Sequence, residues 1–191
     1  MCYPITMQKN KYIKACCCIG HRKIDITNAL KREINDYIEN LIVSESVKNF
    51  LFGSRSDFDK LCHTIVTELK AKYPDIKRIG YTCRSETVVL ETEREKTEAL
   101  YKAVTGKKER FLAVEQEKEY KNKYTSGKGN YVERNQAMID DSDYCVFYYN
   151  ENYLPPKRKN GLGFYQPRSG TAVAFKYAKQ KHKTIKNFYT E

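Results

Sequence analysis

The stretch FLFGSRSDFDKLC, Phe50 to Cys62, runs as a short apolar strand into Gly53 and Ser54 and then turns helical. Phe58, Leu61, Ile65, Val66 and Leu69 follow at spacings of three and four, the apolar stripe of an amphipathic helix. The helix is expected to start near Ser56 or Asp57 and to stop before Pro74, because a proline drives the residue ahead of it out of helical conformation. A strand feeding a helix through a glycine-bearing turn is the first half of a parallel crossover.

The same unit recurs on both sides. YIKACCCIG, ending at Gly20, reads as a buried strand, being short, apolar and closed by a turn residue. In DITNALKREINDYIENLI, Leu30, Ile34, Tyr37, Ile38 and Leu41 share one helical face, with Asp25 or Thr27 as the cap. IKRIGYTC gives a third strand, and TEREKTEALYKAV a charged helix facing solvent. Between Gly106 and Val132 the periodicity weakens, and TSGKGN marks a loop. ERNQAMIDDSD predicts a short helix leading into the apolar strand YCVFYY. LPPKRKNGLGFYQPR, with paired prolines and a basic character, predicts an exposed loop. SGTAVAFKYAKQKH predicts a helix opening on Ser169, and TIKNFY the last strand. Alternating helices and short apolar strands specify an α/β fold, a three-layer sandwich around a mainly parallel sheet. The expected organisation is a single domain over residues 1–191, with a variable insert around 90–131 and a basic loop at 154–168.

The 191 residues, 40% hydrophobic, are enough for one full core. Lys and Arg outnumber Asp and Glu by 35 to 24, a net charge of +11 that favours anionic partners. No secretory pattern and no run of about 20 apolar residues is present, so a cytoplasmic protein with no membrane contact is expected. The seven cysteines form no CxxC pair. Cys16, Cys17 and Cys18 are consecutive, so strand alternation points them to opposite faces; buried reduced thiols are expected.

In parallel sheets, ligands bind where the carboxyl ends of strands lead into helices. That places Gly20, His21 and Arg22, then Gly53, Ser54 and Arg55, then Arg84 and Glu86, and finally Ser169, Gly170 and Thr171 at one rim. Gly53 and Ser54 would let backbone approach an anion at a helix start, with Arg55 adding charge. The alternative is a plain turn in which Ser56 or Asp57 caps the helix and Asp59 completes a capping box. Arg168 to Thr171 repeats the design, and two amide-rich helix starts suit a diphosphate better than one. Cys18 and His21 have CxxH spacing, but a zinc site needs about four ligands, so no metal is expected. Glu133, Arg134 and Asn135 could be surface charge or could contact phosphate, ribose or base. His21, Glu86 and Glu133 are the candidates for acid/base catalysis.

Four ordered segments, CCCIGHR, FGSRSDFDKLCHTIVTELKAKYPDIK, ERNQAMIDDSDYCVFYY and SGTAVAFKYAKQKHKTIKNFY, together resemble the YpsA-like branch of the SLOG superfamily, whose relatives include DprA and the LOG phosphoribohydrolases. The resemblance implies a Rossmann-like domain binding a nucleotide or an ADP-ribose-like derivative, with several relatives acting as sensors, and it implies a homo-oligomer. The family's turn GGAxGxD falls on Gly53, Ser54, Arg55, Asp57 and Asp59; Gly53 and Asp59 match, while Ser54 and Asp57 stand where glycine is usual. The match also carries over to Gly20, His21 and Arg22 and to Arg134 and Asn135. The LOG hallmark PGGxGTxxE keeps Gly170 and Thr171 here but has Ala174 in place of the glutamate. The expected function is therefore nucleotide binding or sensing, with N-glycosidic hydrolysis as the alternative and single-stranded nucleic-acid binding, weak and nonspecific, as a third reading. The 16 tyrosines lie mostly on expected strands and helices, where half-buried roles are commoner than base stacking.

Overall fold

A computed structural model describes residues 12–53, 56–83, 88–108, 111–120, 128–153 and 169–190. Its elements in chain order are β1 (Ala15–Gly20), α1 (Asn28–Val43), β2 (Asn49–Phe52), α2 (Asp57–Lys72), β3 (Lys77–Thr82), β4 (Val89–Leu90), a 3-10 turn (Glu91–Glu93), α3 (Arg94–Thr105), β5 (Ala113–Val114), β6 (Gln116–Glu119), α4 (Lys128–Asp140), β7 (Tyr144–Tyr148), α5 (Gly170–Gln180) and β8 (Thr184–Asn187). Six strands form one sheet in the order β6-β3-β2-β1-β7-β8, with β4 and β5 paired in a small second sheet. Every pairing is parallel. The fold is Rossmann-like α/β.

Helix packing divides the core in two. On one face α1 and α2 bury Ile34, Ile38, Phe58, Ile65 and Val66 against Cys16, Cys18, Phe50 and Phe52. On the other, Met138 and Ile139 of α4 and Ala174 and Ala178 of α5 pack on Cys17, Leu51, Cys145 and Phe147. The consecutive cysteines thus alternate between layers as pleat geometry requires. All six described cysteines are buried and unbridged. Burial raises the thiol pKa of Cys16, Cys17 and Cys62 well above the ordinary value, which keeps them inert.

Both early helices start as their sequences predict. Thr27 caps α1 through its side chain, accepting from the Leu30 amide at 3.1 Å. Ser56 caps α2, accepting from the Asp59 amide at 2.9 Å. α2 ends at Lys72, ahead of Pro74.

The region with little periodicity holds more structure than its sequence signals. β6 reads QEKE and is exposed throughout, yet it pairs with β3 as the sheet's edge strand. Its position is fixed by Arg78, only 2% exposed, whose Nη2 reaches Glu115 Oε1 at 2.5 Å and Glu91 Oε2 at 2.8 Å. The same guanidinium donates to Thr67 on α2 at 2.9 Å. Burial alone would raise the Glu115 carboxyl pKa, but Arg78 and then Lys70 hold it below the ordinary value. His63 of α2 is tied to the Ala113 carbonyl at 2.7 Å, and burial lowers its pKa to about 4. α4 begins at Lys128, five residues ahead of the Glu133 at which the sequence first reads as helical.

Candidate functional site

β1 and β7 are neighbours, yet β1 leads through α1 to β2 on one side and β7 leads through α5 to β8 on the other. The chain changes direction between them, and the crevice above their carboxyl ends is the topological switch point where ligands sit in open parallel sheets. Gly20 of β1 lies in register with Tyr148 of β7. The expected segments at Gly20, Gly53 and Ser169 all reach this rim, because every helix between parallel strands starts at the carboxyl edge. Ser54, Arg55, Arg84, Glu86 and the loop 154–168 lie outside the described residues.

Two glycines at this rim do different work. A Cβ on Gly20 would lie 2.4 Å from Phe58 Cβ, so this glycine lets the first turn of α2 close onto the end of β1. A Cβ on Gly53 would lie 2.4 Å from Nη1 and 2.6 Å from Cζ of Arg134. Here the missing side chain makes room for a guanidinium at the end of β2. Arg134 is 6% exposed, donates from Nε to Asn135 Oδ1 at 3.0 Å and lies 5.8 Å from the Tyr131 ring. Asn130, Glu133 and Asn135 on the same helix are also buried, as is Asp59 on α2. The Asn130 Oδ1 oxygen finds no partner among the described residues.

The start of α2 is largely committed to the protein. The Asp57 amide donates to the Arg22 carbonyl at 3.0 Å, and the Asp59 amide to Ser56. Asp57 pairs with the exposed Lys23 at 3.3 Å. The Ser56 cap and the Lys23 ion pair account for Asp57 at the helix start without a phosphate. The start of α5 differs. Ser169 Oγ accepts from Ala172, while the amides of Gly170 and Thr171 have no acceptor among the described residues. Among the described residues nothing lies within 4 Å of a Cβ on Gly170. Ala174, where a catalytic glutamate would stand by the hallmark, is 2% exposed and faces the sheet.

His21 sits at the carboxyl end of β1, packed against the residues that follow β7. It is 3% exposed, and its Nε2 accepts the Asn150 amide at 2.9 Å and lies 3.3 Å from the Asn150 carbonyl. Burial lowers its pKa, partly offset by the Asn150 backbone, so the ring is neutral at physiological pH. The lone pair a general base needs is already engaged. The imidazole stacks on Tyr153 at 4.2 Å and tilts against Tyr149 at 6.0 Å. Asn187 of β8 clamps Tyr149, accepting its amide and donating to its carbonyl at 2.9 Å each. Tyr149, Asn150, Tyr153 and Asn187 escaped the sequence reading, although the polar residues that directly follow an apolar strand were the available signal. Among the described residues no cluster of three or more His, Cys, Asp or Glu side chains could hold a metal ion.

No curated protein matches the sequence. Two solved structures share the fold. One shows the single-stranded DNA binding mode of DNA processing protein A from Helicobacter pylori, 13% identical over 90% of this chain with a TM-score of 0.50; the chain spans 63% of that protein's length. The other is the X-ray structure of TM1055, 11% identical over 91% of this chain and 72% of that one, also with a TM-score of 0.50. At these identities the likeness speaks to architecture only. A family model matches residues 17–189, from within β1 to beyond the end of β8, and on that match the chain belongs to the YspA SLOG family.

Proposed function

We propose that the chain binds a nucleotide or a nucleotide derivative such as ADP-ribose in the crevice above β1, β2 and β7, and that it acts as a binder or sensor of that ligand. The observation that carries this reading is Arg134, a buried guanidinium packed on the backbone of Gly53 at the carboxyl edge. A guanidinium presents paired N–H donors that match two phosphate oxygens. The start of α5 at Gly170 and Thr171 offers a second anion subsite by its amides and dipole. Tyr149 and Tyr153 offer ring faces for a base or ribose.

Binding is placed ahead of hydrolysis for two reasons. Ala174 replaces the glutamate expected of the hydrolytic branch, and the His21 lone pair is committed to Asn150. A second reading, single-stranded nucleic-acid binding, draws on the net charge of +11 and the likeness to DNA processing protein A.

Thermal-shift titration with nucleoside mono- and diphosphates, ADP-ribose and single-stranded DNA, with product analysis on the same samples, separates these readings. Stabilisation by a small nucleotide without turnover is the expected result. Base release would replace the sensor by a hydrolase. Stabilisation by DNA alone, falling steeply with salt, would favour the nucleic-acid reading.

A further inference from the structure

Between α4 and β7 lie only three residues, Asp141 to Asp143, so α4 runs antiparallel to the strands and its first turn stands at the carboxyl edge of the sheet. Asn130 and Arg134, four residues apart, share one face of that helix. Nη1 and Nη2 of Arg134 lie 2.4 and 2.9 Å from where a Cβ on Gly53 would be, so this face looks onto the end of β2. Asn130 stands one turn farther out along the rim. It is 7% exposed, and its Oδ1 has no hydrogen-bond partner among the described residues. An amide oxygen buried without a donor costs stability, and folded proteins keep few of them, so this one marks a place that a ligand completes.

Resting on the nucleotide reading above, we infer that Asn130 recognises ribose: the ligand is a ribonucleotide whose phosphate lies on Arg134 and whose 2′- or 3′-hydroxyl bonds the Asn130 amide. Spacing favours the sugar over the base. The ribose hydroxyls of a nucleotide stand about one helical turn from its 5′-phosphate, the separation of neighbours four residues apart on a helix, whereas the edge of the base lies farther off. Hydrogen-bonding capacity points the same way. A hydroxyl both donates and accepts, so it satisfies an asparagine amide in either rotation, while each position on a base edge does only one. Asn130 therefore selects against a ligand that lacks the hydroxyl, because its buried oxygen would again be left without a donor. An internal nucleotide of DNA is such a ligand, since one hydroxyl is absent and the other is esterified.

Calorimetric titration of the full chain with ADP, 2′-deoxy-ADP and 3′-deoxy-ADP tests this. The expected result is that one of the two deoxy analogues binds at least ~tenfold more weakly than ADP, the loss of a single well-placed hydrogen bond. In Asn130→Leu, which removes the amide at similar volume, ADP should weaken to the affinity of that analogue, and the analogue's own affinity should be unchanged. Without ligand, Asn130→Leu should melt no lower than the unmodified protein, since it removes an unsatisfied buried oxygen, whereas a residue kept for packing would lower the melting temperature. Asn130→Ala should lose the same discrimination. Equal affinity for all three nucleotides in the unmodified protein, or discrimination that survives in Asn130→Leu and Asn130→Ala, would overturn the inference while leaving nucleotide binding standing. Failure of all three to bind would overturn the nucleotide reading and the inference with it.

Discussion

An added Cβ at position 53 would meet the far end of a flexible arginine side chain, whereas one at position 20 would meet the stiff root of Phe58. The two substitutions should therefore part company. Gly20→Ala is expected to destabilise the protein by about 2 kcal/mol, through overpacking at the α2 contact, read from chemical denaturation. Gly53→Ala is expected to leave stability within about 1 kcal/mol of the unmodified protein, because the guanidinium can swing aside. Its effect should fall on the ligand: nucleotide affinity is expected to drop at least about tenfold in calorimetric titration, with Arg134 displaced from the rim. Equal ligand affinity in the Gly53→Ala protein would detach Arg134 from the site. His21→Ala should act by a third route, freeing Asn150 and the aromatic ring stack, and so weaken binding with some loss of stability.

At the scale of elements, the edge of the sheet depends on buried polar ties. His63 is neutral when folded, its pKa lowered by burial to about 4, while in the unfolded chain it titrates near the ordinary 6.5. The unfolded state therefore takes up a proton first as pH falls, and the stability that neutral His63 represents is complete above about pH 6.5 and lost progressively down to about 4. The loss approaches about 3 kcal/mol, and denaturation series at pH 7 and pH 4.5 should show it shrink in His63→Gln. Arg78→Met would strand Glu115 and Glu91 beside the buried end of β3, at a cost of about 3 kcal/mol and with loosening of β6 detectable by hydrogen exchange. These same elements mark where sequence reading runs out. α1, α2, β1, β2 and β7 are legible because their apolar spacing reports burial directly. β6 is a glutamine and three charged residues on an edge, with no apolar face to betray it, and its pairing is set by Arg78 and Glu115 in tertiary space. The start of α4 is hidden for a related reason, since Gly129 and Asn130 are poor helix formers and no apolar spacing leads into it.

Over the whole molecule, the site is assembled from contacts remote in sequence. Gly53 and Arg134 are drawn together because α4 crosses the sheet face over β1 and β3, and His21 meets Asn150 because β1 and β7 are adjacent. A local motif could put Gly53, His21 and Arg134 on one rim, but it could not say that Gly53 accommodates Arg134 or that Asn150 occupies the His21 lone pair. The net charge of +11 adds a long-range attraction for anions that does not depend on this geometry, so affinity for a small nucleotide should fall only modestly with salt while nonspecific DNA binding should fall steeply. Nucleotide binding at this rim is most directly tested by a crystal structure of the protein with bound ADP-ribose. The expected result is diphosphate density between the Arg134 guanidinium and the Gly170 and Thr171 amides, above the carboxyl ends of β1, β2 and β7. Ligand density elsewhere on the protein, with Arg134 and the start of α5 untouched, would contradict it.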